Sequence, residues 1–357
     1  MTRAPVLFRV DAGPRPGYEH LSRCLVLAAA LQRRRRPAYF LSRLDPGSLG
    51  LMLKRGGNEW LDADGTAGTS DDVDETLQEV RRLRPAAVIV DSPDVAEEYL
   101  LQFQRTGVMV VSLDSLANTT FPSRLIINPL LGPTRESYEF TPGTQVLLGA
   151  RYALVRPEIR RARPIRAQEP AQPFRVMVAL GDDDPNHQAG ALAKALLNFP
   201  KVSRVDIVVR PWHPNLEGLK ALAGQCPERL EVVSEPGEVP HRIVRAHFAV
   251  TAGNNWSLEL ACVGVPQLVI VQNEMHWPTA QRMEEEGAAT CLGWHESVTP
   301  ASIRQAVQNL LSDPLERQAM SRCSRKLIDG RGPDRLVTAL EVMLHPSRLI
   351  GDFSQAA

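Results

Sequence analysis

The stretch "LFRVDAGPRPGYEHLSRCLVLAAAL", residues 7–31, runs as an apolar strand, breaks in a turn rich in glycine and proline, and resumes with apolar residues at helical spacing. Leu21, Cys24, Leu25, Ala28 and Leu31 fall three and four apart, which predicts a helix from about residue 20 with one face on a sheet. Strand, glycine turn and helix start in that order are how open α/β sheets present anion sites, because the first amides of a helix have no partner within it. His20 is expected at the exposed first turn of that helix. There it can be a catalytic base, a phosphate contact or a helix cap.

The same alternation continues along the chain. "VLFRV", "AYFLS", "AAVIVD", "VMVVSLD" and "RLIINP" predict strands, with helices near 20–34, 73–83 and 95–105 between them. "RPEIRRARPIRAQEPAQP", residues 156–173, is rich in Pro, Arg and Ala without apolar periodicity and reads as a linker. Strands then resume with "RVMVAL", "RVDIVVR", "LEVVS", "FAVTA" and "PQLVIVQ", separated by helices near 187–198, 214–224, 239–245 and 256–262. The expected α/β architecture is therefore a Rossmann-like domain over 1–155, a linker over 156–173, a second Rossmann-like domain over 174–345 and a tail over 346–357. Two doubly wound domains of this kind place ligands at the carboxyl ends of their strands, facing across a cleft. Helices near 300–311, 315–328 and 333–344 complete the second domain, with the last able to cross back onto the first. "RRRR" at 33–36 sits at a helix C-terminus, where positive charge suits the dipole, and reads as a solvated end.

The length of 357 residues agrees with about two domains. Forty-one basic and 41 acidic residues cancel, which removes the electrostatic case for a nucleic-acid partner. No apolar run approaches the roughly 20 residues that span a bilayer, and the N-terminus lacks a signal-peptide stretch. The chain reads as cytoplasmic, without membrane insertion, and as a monomer or weak homodimer. Its five cysteines are widely spaced and read as reduced packing residues rather than as a disulfide or zinc set.

A second constellation lies in "AVTAGNNWSLELACVGVPQLVIVQNE", residues 249–274. A strand ends at Ala252, Gly253 and Asn254 turn the chain, and a short helix from about Trp256 aims its amides at the turn, with Gly264 as its C-terminal cap. An anion on those amides, with Glu259 nearby to accept the hydroxyls of a ribose, is what a nucleoside diphosphate requires. The alternative is that Ser257 and Glu259 only cap the helix. Asp182, Asp183 and Asp184 follow a strand and read either as a metal-binding run or as caps of the next helix.

Several separated stretches together resemble the nucleotide-sugar hydrolases of pseudaminic acid biosynthesis, relatives of glycosyltransferases of the GT-B fold. "FRVDAGPRPGYEHLSRCLVLA" is similar to that family's opening, where a Gly-x-Gly-His loop precedes an Arg-Cys-Leu helix start. "VSLDSLA", "IINPLLG", "GARYALVRPEIR", "LIDGRGPDRLV" and 249–274 recur in the expected order. The resemblance covers nearly the whole chain. It implies hydrolysis of a UDP-linked 2,4-diacetamido-2,4,6-trideoxyhexose, with water attacking the anomeric carbon and inverting it.

By the same resemblance, His20 and Asn273 are the catalytic residues. The substrate is held by Gly17, Tyr18 and Gly181, by the diphosphate cradle of Gly253, Asn254, Asn255, Trp256 and Ser257, and by Glu259 as the ribose-binding acid. The family needs neither metal nor cofactor, so none is expected. This chain departs from the pattern at Glu19, where the family has glycine, at "LGDDDPNH" in place of a Gly-Gly-Ser-Asp-type loop, and at Ser92, where a histidine often follows the mid-domain aspartate. A glycosyltransferase with the same donor site, or a non-catalytic binder of sugar nucleotides, are the competing readings.

Overall fold

The computed structural model describes residues 3–181, 184 and 186–345. The chain divides into two compact units, each built on one parallel sheet. Unit 1 holds residues 3–129, 133–152 and 331–345, and unit 2 holds 130–132 and 153–330.

In unit 1, β1 (Val6–Val10), α1 (Glu19–Arg33), β2 (Ala38–Ser42), α2 (Ser48–Arg55) and β3 (Glu59–Asp62) are followed by α3 (Ser70–Leu83), β4 (Ala87–Asp91), α4 (Glu97–Gln104) and β5 (Met109–Leu113). A two-stranded pair, β6 (Thr120–Phe121) and β8 (Glu139–Phe140), brackets β7 (Leu125–Asn128), and β9 (Gln145–Leu148) closes the sheet. The strand order is β3-β2-β1-β4-β5-β7-β9, all parallel. β1, β4 and β7 are buried along their whole length. Helices cover both faces of such a sheet, which is why central strands read as near-continuous apolar runs.

Unit 2 contains α5 (Pro157–Ile165), β10 (Phe174–Ala179), α6 (Ala189–Leu197), β11 (Val202–Val208), α7 (Leu216–Gly224), β12 (Leu230–Val233) and α8 (Val239–Arg245). These lead to β13 (Phe248–Thr251), α9 (Asn255–Val263), β14 (Gln267–Val271), α10 (Trp277–Glu285), β15 (Thr290–Trp294), α11 (Pro300–Ser312) and α12 (Pro314–Leu327). Its strands run parallel in the order β12-β11-β10-β13-β14-β15, the 3-2-1-4-5-6 order of dinucleotide-binding sheets. The last helix, α13 (Gly332–Leu344), returns to unit 1 and packs on α1.

Three expectations change. The stretch 156–173 is not a bare linker: α5 lies in it, against α8 and α9. Two of its arginines are cap donors. Arg163 donates to the carbonyls of Cys262, Arg325 and Ile328, and Arg166 to those of Ala246 and Gly264. These carbonyls end α8, α9 and α12, where a helix has no acceptor partners of its own. Secondly, unit 2 ends at Gly330 rather than at 345, because α13 makes the crossing back to the first unit that its sequence allowed. Thirdly, "RRRR" is a solvated end only over Arg33, Arg34 and Arg35, which are exposed. Arg36 is 1% exposed and donates to both carboxylate oxygens of Glu341 at 2.8 and 3.1 Å, while Arg33 meets Asp334 at 2.9 Å. α1 is accordingly covered on a second side, and Val26 and Ala30, off the expected stripe, are buried as well. The tail at 346–357 lies outside the described residues.

Candidate active site

In a doubly wound sheet the connections on either side of one central strand pair run in opposite directions, and the loops leaving that pair's carboxyl ends part to open a crevice. The pair is β1 and β4 in unit 1 and β10 and β13 in unit 2.

In unit 1 the crevice gathers His20, Arg23 and Cys24 of α1 around Asp91, the last residue of β4. Residues 20, 23 and 24 share one helix face by their spacing. His20 Nδ1 lies 2.5 Å from Asp91 Oδ1. Arg23 donates to the same carboxylate through Nη2 at 2.5 Å and Nε at 2.7 Å, and Cys24 Sγ lies 3.3 Å from Oδ2. His20 is 7% exposed, which corrects the expected exposed first turn: the helix begins at Glu19, and residue 20 then faces the sheet. Burial acts to raise the Asp91 carboxyl, but Arg23 and His20 outweigh it and hold it at about 2. Burial likewise acts to lower the Arg23 guanidinium, and Asp91 reverses that. Both groups are ionised.

Beside His20 a cavity of about 360 Å³ opens, with Asp11, Gly13, Arg43, Asp45 and Asp91 in its wall. Gly17 and Tyr18 are not in that wall. They shape the loop instead. Gly13 and Gly17 exchange backbone hydrogen bonds of 3.2 and 2.8 Å, Gly17 takes φ +75°, and Tyr18 Oη donates to the Asp45 carbonyl at 3.1 Å.

In unit 2 the loops after β10 and β13 are tied together, because Asn254 Nδ2 donates to the Leu180 carbonyl beside Gly181 at 3.1 Å. Asn254 Oδ1 accepts from the Trp256 amide at 3.1 Å, and Ser257 Oγ accepts from the Gly253 amide at 2.9 Å. Two amides of the expected cradle are thus engaged within the loop. Gly253 takes φ +83°, and a Cβ there would stand 2.8 Å from the His276 carbonyl oxygen, so only glycine fits. The Trp256 indole lies 4.7 Å from the Arg156 guanidinium and 5.2 Å from that of Arg210.

Glu259 is 4% exposed. Its Oε1 accepts from the Arg156 amide at 3.1 Å and Nε at 2.8 Å, and its Oε2 from Nη2 at 2.7 Å. Both oxygens assigned to a ribose by the sequence resemblance are turned to Arg156. Asn273 lies on the loop after β14, next to β13 in the sheet, with Nδ2 3.4 Å from His276 Nε2. Asn255 Oδ1 and Asn273 Oδ1 are buried with no hydrogen-bond partner among the described residues. An acceptor in that state is costly until something donates to it.

Asp184 accepts from the amides of Gln188 and Ala189 at 3.1 and 2.8 Å and so caps α6. Asp182 and Asp183 lie outside the described residues. The sequence reading missed the roles of Asp91, Arg23, Arg156 and Arg210. The 20, 23, 24 spacing beneath an acid-ended strand was the available signal for the first two.

No protein-family model matches the chain. By sequence it is similar to the spore coat polysaccharide biosynthesis protein SpsG of Bacillus subtilis, 24% identical over 221 residues, which is 61% of this chain and 65% of that protein. Among solved structures, MurG of Acinetobacter baumannii superposes with a TM-score of 0.65 at 16% identity, covering 94% of this chain and 99% of that one. The spinosyn rhamnosyltransferase SpnG, complexed with thymidine diphosphate, gives 0.66 at 17% identity over 94% and 100%. The likeness is one of fold: two Rossmann-like domains of the GT-B class.

Proposed function

We propose that this protein hydrolyses a nucleoside-diphosphate sugar, releasing UDP from a UDP-linked 2,4-diacetamido-2,4,6-trideoxyhexose with inversion at the anomeric carbon. The observation that carries the reading is the 2.5 Å pairing of His20 with Asp91 beside the unit 1 cavity. An ionised carboxylate only accepts, so the pairing assigns the proton to Nδ1 and leaves Nε2 as the basic nitrogen. Water gives its proton to Nε2 as its oxygen bonds the anomeric carbon. The bond from that carbon to the β-phosphate oxygen breaks, its electron pair leaves with UDP, and the transition state has oxocarbenium character. A base so placed contributes about 10² to 10⁴ in rate. UDP is a good leaving group and needs no protonating acid.

The nucleotide belongs, in this reading, to unit 2. Support comes from the N-terminus of α9 at Asn255 and Ser257, where the helix dipole suits a developing negative charge although the Trp256 amide is held by Asn254, and from the two buried acceptors on Asn255 and Asn273. The fold shared with a rhamnosyltransferase solved with thymidine diphosphate, and a sequence relative in polysaccharide biosynthesis, support sugar-nucleotide chemistry. Gly17, Tyr18, Gly181, Gly253 and Asn254 hold the loops, and Glu259 acts through Arg156. That same rhamnosyltransferase likeness favours a second reading, transfer to an acceptor.

The test is a mass balance on purified protein with a panel of UDP-sugars and no acceptor. Free sugar plus UDP is expected, and EDTA should leave the turnover in place. UDP formed only with an acceptor makes the protein a transferase. Binding without turnover makes it a binder, and loss of activity in EDTA restored by magnesium assigns a metal to the 182–184 run.

A further inference from the structure

We infer that Arg23 is a positioning residue that sets the pH range in which His20 accepts a proton, by neutralising the carboxylate the two share. The inference rests on the hydrolytic reading of His20. A carboxylate opposite an imidazole does two things: it orients the ring, and its charge holds a proton on it. A base needs the first and is hindered by the second. Here the two are separated. Asp91 accepts from His20 Nδ1 at 2.5 Å while receiving two bonds from the Arg23 guanidinium, at 2.5 and 2.7 Å. Asp91 and Arg23 together carry no net charge, yet Oδ1 still accepts.

The geometry fixes Arg23 firmly enough for this role. Its side chain is 4% exposed, Nη2 lies 3.3 Å from His20 Nδ1 and donates to the Leu113 carbonyl at 3.3 Å, and Nη1 donates to Ser115 Oγ at 2.5 Å. The other charged groups around the ring weigh less. Glu19 neighbours it on α1. Asp114, on the loop after β5, acts on Arg23 through charge and accepts from Tyr138 Oη at 2.9 Å. Asp11 accepts two hydrogen bonds from Arg9, which also donates to Asp72, and this group is the same in every variant compared below. Arg15, Arg43, Asp45 and Asp94, also in the cavity wall, are exposed and screened by water. The Cys24 thiol is pushed up by burial and by Asp91, so it stays neutral.

The experiment is the pH–rate profile of a UDP-sugar substrate in wild type, Arg23→Gln, Arg23→Lys, Asp91→Asn and the Arg23→Gln/Asp91→Asn double variant. In wild type the rate rises with pH along a limb that vanishes in His20→Gln. Removing the guanidinium leaves Asp91 uncompensated, so in Arg23→Gln the limb moves up by about one to two pH units, and activity lost at neutral pH returns at higher pH. Arg23→Lys keeps the limb in place. Asp91→Asn leaves Arg23 uncompensated and moves the limb down, and the double variant brings it back. If Arg23→Gln does not fold, Asp91→Asn against the double variant reads the same charge. Equal losses at every pH with an unmoved limb would overturn the inference while leaving the hydrolytic reading intact. A wild-type limb that survives in His20→Gln would instead remove the hydrolytic reading beneath it.

Discussion

At the crevice of unit 1, between β1 and β4, the polar groups are acidic and basic side chains bound to one another: Asp91 holds His20 and Arg23 within 2.7 Å. At the crevice of unit 2, between β10 and β13, they are backbone and side-chain amides, with two amide oxygens unmet. The ion pair of Arg156 with Glu259 lies one turn further along α9, its guanidinium also lying over the Trp256 ring. Strand order makes both crevices alike, and only the side chains lining them differ. In the proposed reaction the first arrangement moves a proton at a fixed atom, and the second holds the nucleotide without changing its own charge state.

The comparison breaks most easily at Glu259. If its carboxylate chiefly neutralises Arg156, Glu259→Ala leaves a buried guanidinium uncompensated and destabilises unit 2 by about 3 to 5 kcal/mol, read in denaturant unfolding. Unchanged stability with weakened UDP binding in a calorimetric titration would return Glu259 to the ribose. His20→Gln comes next. It should lower turnover about 10²-fold or more with UDP affinity little altered, and wild-type turnover in that variant would leave the unit 1 crevice without a reaction.

Acid sharpens the contrast further. The Asp91 carboxyl, 3.8 when unperturbed, is lowered to about 2 in the folded chain, so the unfolded chain takes up the proton more readily. The resulting stability, about 2 kcal/mol, is complete above roughly pH 4 and is lost as pH falls through about 2. Unfolding free energies measured at pH 7, 4 and 2.5 check both sign and range. The smallest effect belongs to the amide side: Asn254→Ala removes the cap of α9 and should cost about 1 kcal/mol, with weaker UDP binding because the cradle loop loosens.

The central strands were legible in the sequence because strands buried on both faces are near-continuous apolar runs, "VLFRV" being broken only by Arg9 and "AVIVD" only by its terminal Asp91. The edges were not. β3 is "EWLD" and β15 is "TCLGW", neither of them fully buried at any position, so neither carries an apolar run. α2 escaped notice because Gly50 interrupts a short helix; a Cβ there would stand 2.1 Å from the Trp60 ring, which shows why the glycine is needed. In the site, the glycine turns after β1 and β13 were legible from local order. Partners distant in sequence were not: Asp91 lies 71 residues from His20, and Arg156 lies 103 from Glu259. The arginines of 156–173 were misread for the same reason, since a cap donor for three other helices has no signature in its own segment.

The return of α13 to unit 1 has a consequence for biosynthesis. Arg36 and Glu341 are 305 residues apart. At roughly 5 to 20 residues per second of translation, Arg36 waits about 15 to 60 s for its partner after it is made, while the whole of unit 2 is synthesised. Until then α1 presents to water, or to a chaperone, the side that α13 will cover. The first unit to begin synthesis is therefore the last to be finished.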